Sequence, residues 1–366
     1  MRFESTFNLV LAAVALVAHA VPIISPDEIA VKSGEGLRLL SLAEDVEPVW
    51  KTEDEKLELM RAGIKFFDVT EVYDQEQKFP PKNNFVSIAA TFPAPSHQAE
   101  LAPILKTVST TNMQTYLSAL TAFNNRYYKS STGTQASNWI LDTVKSITSG
   151  RSDITASLFS HSWGQPSIVV KIAGKSPSSP VTIVGAHMDS INLSNPTNGR
   201  APGADDDGTG TVNLIEGLRV LVAAGFKPST PVEFHWYSGE ESGLLGSQAI
   251  ATSYKSSGVQ VKAFMELDMS GYFKPGTTEV MALQADYIDE GLNTFLKSLI
   301  TAYSRIPWAM DKPIGVPSSF PYEAVTGNDN PNIHSASDTT SVNGFSWAHS
   351  LEFAKIGVAF VYELSV

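Results

Sequence analysis

Apolar residues change their period along this chain. Between Leu101 and Thr148 they recur at helical spacing, through Leu117, Leu120 and Phe123 and again through Trp139, Ile140 and Val144, which predicts packing helices. From residue 167 onward, β-branched runs alternate with helical stretches. Ser167 to Ala173 reads as a strand, and Val181 to Val184 as a short buried one ending at Gly185-Ala186-His187. Thr209 to Ala224, rich in Leu, Val and Ala, reads as a helix. A strand from Val232 to Tyr237, a helix from Glu241 to Lys255 and strands at Val259 to Met269 and Glu279 to Leu283 follow. Helices from Tyr287 to Tyr303 and from Ser346 to Tyr362 close the pattern. This alternation predicts an α/β fold, a three-layer sandwich with a mixed, mainly parallel central sheet flanked by helices. In such folds ligands bind beyond the carboxyl ends of the strands.

The first residues follow other rules. Arg2, an apolar run from Leu9 to Val17 and then Ala18-His19-Ala20 have the layout of a secretory signal over residues 1–20, too short to span a bilayer. The protein is therefore expected to be secreted. Residues 21–78 carry 14 acidic and 7 basic side chains and read as an acidic pro-segment, with a small N-terminal subdomain as the alternative. Pro80-Pro81 and Pro93-Ala94-Pro95 mark the linker into one domain spanning 79–366.

Composition narrows the chemistry. A formal charge of −12 argues against nucleic acid and anionic membranes as partners. The absence of cysteine excludes disulfides, thiol catalysis and sulfur-ligated metal. Asn192-Leu193-Ser194 is a glycosylation sequon. The chain is expected to act as a monomer.

Conspicuous polar groups fall at the strand ends. His187 and Asp189 follow the strand through Val184, Asp205-Asp206-Asp207 precede the next helix, Glu240-Glu241 follow Tyr237, and Asp268 ends the strand through Leu267. His334 comes late, in Asn330-Pro331-Asn332-Ile333-His334, with Asp338 shortly after it placed to orient it or to cap the next segment. Singly, each has an ordinary account as a turn, a helix cap or a solvated acidic loop. Three adjacent carboxylates raise one another's pKa inside a fold unless a cation sits among them. Oxygen and imidazole donors without sulfur suit a catalytic zinc site, and an acid-rich set with two histidines fits two metals sharing a bridging carboxylate.

The segments Gly185-Ala186-His187-Met188-Asp189-Ser190, Pro202-Gly203-Ala204-Asp205-Asp206-Asp207-Gly208, Glu240-Glu241-Ser242-Gly243-Leu244-Leu245-Gly246-Ser247, Leu267-Asp268-Met269 and Ile333-His334 resemble the motifs of the M28 zinc peptidases. Within that family the chain is similar to secreted fungal leucine aminopeptidases. The resemblance implies a zinc-exopeptidase-like fold, two zinc ions, and peptide substrates with a free N-terminus and apolar first residues such as leucine. It implies that His187 and Asp268 hold one ion, Glu241 and His334 the other, and Asp206 bridges them, with a cis peptide between Asp206 and Asp207. Glu240 becomes the general base, taking a proton from water and returning it to the leaving amine. Asp189 is expected to accept the other ring N–H of His187. Met269, Phe320 and Tyr322 are expected to line an apolar side-chain pocket.

One stretch departs from the family. Where members carry a cysteine-containing segment with Ser-Asp-His, this chain runs from Ser304 to Phe320 with no counterpart. That gap keeps an inactive or binding-only relative in view as a rival, and the shared fold keeps a second, a relative of carboxypeptidase or glutaminyl-cyclase type.

Overall fold

A computed structural model describes residues 24–43, 46–74, 90–285, 288–310 and 329–366. The expected signal, the Pro80-Pro81 linker, the start of the helix at Tyr287, and Phe320 and Tyr322 lie outside the described residues.

The acidic N-terminal run folds as a small unit. Helix α1 (Pro26–Gly34) leads into strand β1 (Leu37–Ser41), which pairs antiparallel with β2 (Val49–Thr52) and β3 (Phe67–Asp68). Helix α2 (Glu53–Arg61) begins in a capping box, in which Thr52 and Glu55 satisfy each other's backbone N–H groups. Leu39, Val69, Val72 and Tyr73 form the unit's own buried cluster. Buried Asp68 accepts from Arg38 at 2.7 Å, Lys56 at 3.2 Å and Thr70 at 2.6 Å. These partners hold its pKa below the usual carboxylate range despite burial, which opposes the shift.

The helical stretch expected between Leu101 and Thr148 is three helices: α3 (Gln98–Leu105), α4 (Thr110–Ala122) and α5 (Ser131–Thr148). Ser109 and Ser130 cap the second and third through their side-chain oxygens. The central sheet has β4 (Ile154–Phe159), β5 (Ser167–Ile172), β6 (Val181–His187), β7 (Val232–Tyr237) and β8 (Val261–Glu266), in the order β4-β5-β7-β6-β8. Strands β7, β6 and β8 run parallel, and β5 and β4 extend the sheet antiparallel. Strand β4, with a mixed burial pattern, carries too weak an apolar run to be read from sequence.

Helices α6 (Gly208–Ala223) and α9 (Trp347–Ser365) pack on one face and on each other. Phe234 and Trp236 of β7 point into that core, and Trp236 donates its indole N–H to the Thr211 carbonyl at 3.1 Å. On the opposite face, Tyr237 and Val169 meet Ile250 of α7 (Leu245–Ser256). The remaining elements, β9 (Met281–Leu283), α8 (Glu290–Tyr303) and β10 (Trp308–Met310), put a short parallel pair beside the core. Among the described residues no helix is long and apolar enough to cross a membrane.

Candidate active site

The three parallel strands deliver their last residues to one edge. His187 is the final residue of β6, Glu240 and Glu241 lie three and four residues past the end of β7, and Asp268 lies two past β8. The turn after β7 is a short 3-10 helix, Glu240–Ser242, flanked by Gly239 and Gly243 in the left-handed region at φ 67° and 99°. A Cβ at Gly243 would also lie only 2.7 Å from the Asp68 backbone nitrogen, so no side chain fits there. This turn interrupts the helix expected from Glu241 and aims two adjacent glutamates at one place.

Two groups of potential ligands share one residue: His187, Asp206 and Asp268, and Asp206, Glu241 and His334. Asp206 offers one oxygen to each, with Oδ1 3.0 Å from His187 Nε2 and Oδ2 3.1 Å from His334 Nε2. His187 Nε2 lies 3.5 Å from Asp268 Oδ1, and His334 Nε2 lies 2.9 Å from Glu241 Oε2 without hydrogen-bond alignment. Both Glu240 oxygens, Glu241 Oε2 and Asp268 Oδ1 are buried with no hydrogen-bond partner. The five residues expected to hold metal, and the expected base, are therefore together.

Without a cation this cluster is electrostatically frustrated. Burial and like charge push Glu240 well above its ordinary pKa, Glu241 up to about 7 and Asp268 upward. Burial disfavours the imidazolium, but Asp268 and Glu240 raise His187, and Glu241 and Asp206 raise His334, well above the ordinary value. Asp206 moves the other way, below the usual carboxylate range: burial opposes ionisation, and the two histidines outweigh it. Orphaned buried oxygens around two imidazoles, all oxygen and nitrogen donors, are what divalent zinc satisfies.

The residues around the cluster are fixed by backbone contacts. Asp189 lies 3.5 Å from His187 Nδ1 without making the hydrogen bond expected there, and its carboxylate instead accepts the N–H groups of Glu240 at 3.0 Å and Glu241 at 3.3 Å. It thus holds the Glu-Glu turn as well as facing the imidazole. The peptide between Asp206 and Asp207 is cis. Asp205 turns away to accept from Gly271 N–H at 2.8 Å and Asn330 at 3.2 Å, and Asp207 caps α6 through Gly210 N–H at 2.8 Å.

Two supporting residues have roles that sequence reasoning missed. Asp338, expected to orient His334 or cap the next segment, instead accepts the backbone N–H groups of Asp205 and Asp206. Fully buried Arg126 donates to the carbonyls of Met188 at 2.7 Å, Pro202 at 2.5 Å and Gly203 at 2.8 Å. The Asp338 spacing, four residues after His334, is the one signal the sequence offers; a lone arginine in a loop gives none.

Other expectations resolve simply. His235 is buried between Glu233 and Tyr237 and stays outside the cluster, as its place inside a strand suggested. Met269 lines a cavity of about 80 Å³ with Asp205, Tyr272, Phe273 and Asn330. Asn192 is half-buried and donates Nδ2 to the Arg200 carbonyl at 2.8 Å.

The N-terminal unit reaches this edge. Met60, Gly63, Ile64, Lys65 and Phe66 line a cavity of about 30 Å³ with Glu241, Gly243 and His334. Asp68 N–H donates to the Gly243 carbonyl at 3.1 Å, and Arg61 donates to Leu193 O at 3.0 and 2.8 Å. The Leu193 N–H in turn donates to the His334 carbonyl at 3.1 Å. Leu57 and Met60 of α2 lie on a buried patch of Tyr127, Tyr128, Ile191 and Leu245.

Residues 167–354 match the family described as Peptidase family M28. The chain is 38% identical over 392 aligned positions to Leucine aminopeptidase 1 of Phaeosphaeria nodorum, covering 99% of this chain and 98% of that protein. It is 40% identical over 342 positions to Leucine aminopeptidase 1 of Coccidioides posadasii, covering 86% of each. Among solved structures it is similar to the LapA aminopeptidase of Legionella pneumophila, with a TM-score of 0.76 and 27% identity over 92% of this chain and 96% of that one.

Proposed function

The chain belongs to peptidase family M28 and is a zinc-dependent aminopeptidase, and on that premise we propose that it is a secreted enzyme working with two zinc ions to release apolar N-terminal residues, leucine favoured. The observation that carries the two-ion reading is Asp206, which turns one oxygen toward each of two histidines. His187 and Asp268 would hold one ion, Glu241 and His334 the other, and Asp206 both. When bound, zinc supplies Lewis acidity that acidifies water and polarises the scissile carbonyl.

The chain's own groups do the rest. Glu240 has both carboxylate oxygens buried and unpartnered, with Oε2 3.9 Å from His187 Nε2. Asp189 fixes its backbone N–H. In this position Glu240 takes a proton as water adds to the carbonyl carbon, and returns it to the amine as the C–N bond breaks. The free α-amine of the substrate is an ammonium, which carboxylate oxygens of Glu240 and Asp268 left over at the site can accept.

We also read residues 21–78 as a pro-segment. Its loop from Gly63 to Phe66 lines a cavity with Glu241 and His334, which supports its lying in the path of a substrate peptide.

Zinc analysis of the purified protein, together with hydrolysis of leucyl-p-nitroanilide, tests the reading. Two zinc ions per chain and activity lost on chelation are expected, and N-acetylation of a peptide substrate should abolish cleavage. One ion per chain, or cleavage of the acetylated peptide, would sink the corresponding part.

A further inference from the structure

We infer that Asp338 is a positioning residue that locks the bridging carboxylate of Asp206 to the segment carrying His334. The inference rests on the two-ion reading above. Asp338 lies four residues after His334 and is buried. Its Oδ2 accepts the N–H of Asp206 at 3.1 Å and of Asp205 at 3.2 Å, and its Oδ1 accepts the Asp205 N–H at 3.1 Å. Its backbone carbonyl accepts the N–H of Ala204 at 3.2 Å. Asn330 donates its amide to Asp338 Oδ1 at 3.3 Å and to Asp205 Oδ2 at 3.2 Å. Three consecutive backbone N–H groups of the loop that presents Asp206 therefore end on one residue.

The opposite side of that loop is held by a cation. Arg126 takes the carbonyls of Pro202 and Gly203, and also that of Met188, next to His187. The loop is gripped through its carbonyls by a guanidinium and through its N–H groups by a carboxylate.

A neutral isostere cannot replace Asp338. The side chain faces two backbone N–H groups and one amide N–H, all donors, and an ionised carboxylate is an acceptor at every position. An asparagine there would turn its NH₂ toward at least one of them and leave a buried donor unpaired. The consequence falls on Asp206, whose oxygens must stay 3.0 and 3.1 Å from two imidazoles on different segments. Because Asp206 belongs to both halves of the site, a slack loop weakens both halves together.

The test is stepwise zinc uptake by the full chain, measured by competition with a chromophoric chelator, for wild type, Asp338→Asn and Glu241→Gln. Asp338→Asn is expected to weaken both steps together by about 10–100-fold, the usual effect of removing a partner that orients a metal ligand. Glu241→Gln should weaken one step only. Asp338→Ser, which keeps a small acceptor, serves if the asparagine variant folds poorly. The zinc-induced rise in Tm, read for each variant against its own metal-free form, separates metal binding from folding. Two zinc ions bound by Asp338→Asn with wild-type affinity would overturn this inference alone. A wild type that takes up a single zinc would overturn the two-ion reading and this inference with it.

Discussion

At the residue scale, the site is a set of carboxylates that differ by what their neighbours do to them. Glu240 and Glu241 are adjacent, yet Glu241 meets His334 at 2.9 Å while Glu240 has no hydrogen-bond partner for either oxygen. Glu241, not Glu240, groups with Asp206 and His334, which supports the proposed roles of Glu241 as a metal ligand and Glu240 as the base. Glu240→Gln is expected to lower kcat by roughly 10²–10⁴-fold, the usual worth of a positioned acid–base group, with zinc content unchanged. Measuring kcat and bound zinc on the same preparation checks it, and loss of zinc would move Glu240 into the ligand set. Gly210 is a second sensitive point. A Cβ there would lie 2.2 Å from the Leu267 carbonyl, next to the proposed ligand Asp268, and 2.4 Å from Asp207 Oδ2. Since these neighbours cannot all move, Gly210→Ala should cost about 1–3 kcal/mol, the range for overpacking a close-fitting interior. Urea denaturation of the metal-free protein is the measurement, and an unchanged midpoint would contradict it.

At the scale of elements, the parallel strands β7, β6 and β8 set where the chemistry happens, and the small unit built on β1–β3 and α2 sits against it. That unit is tied to the body by backbone and guanidinium contacts at Gly243 and Leu193. Lys129 adds an ion pair to Glu53 at 2.7 Å, exposed enough that it contributes little. A specific protease site inserted at residue 78 gives the prediction: cutting and removing the unit should raise kcat/KM for leucyl-p-nitroanilide several-fold. Equal activity before and after cutting would mean that the loop from Gly63 to Phe66 does not obstruct substrate. The same contacts predict that the released unit competes with substrate when added back.

For the whole molecule, the balance of burial and charge ties zinc uptake to pH. In the metal-free chain, burial and the Asp206 charge hold Glu241 up to about 7, while nearby carboxylates hold His187 and His334 well above the ordinary imidazole value. All three are raised, so near neutrality the metal-free cluster carries protons that zinc must displace. Affinity for zinc should therefore rise with pH through and above about 7 and fall as pH drops below it, with net proton release on binding. Titration calorimetry in buffers of different ionisation enthalpy reads that release, and binding with no protons exchanged would contradict the picture.

Much of this was legible in the chain itself. The period of apolar residues located β5, β6, β7 and the long helices, because burying a sheet face or a helix stripe imposes a local repeat. The ligand types and their order were also legible, since chemistry at a strand's end needs residues next in sequence to that strand. The resemblance to the M28 motifs added which residue was expected to bridge. What the sequence alone left open was decided by contacts between distant segments. Asp205, Asp206 and Asp207 are chemically alike, and only Gly271, the two histidines and Gly210 turn them to three different tasks. Asp338 and Arg126 act on backbone groups far away in the chain, which leaves no periodic trace. The docking of the N-terminal unit beside Glu241 and His334 is likewise a matter of matching surfaces. Local repeats are dictated by burial, whereas the direction a buried charge faces is dictated by whichever partners the fold brings to it.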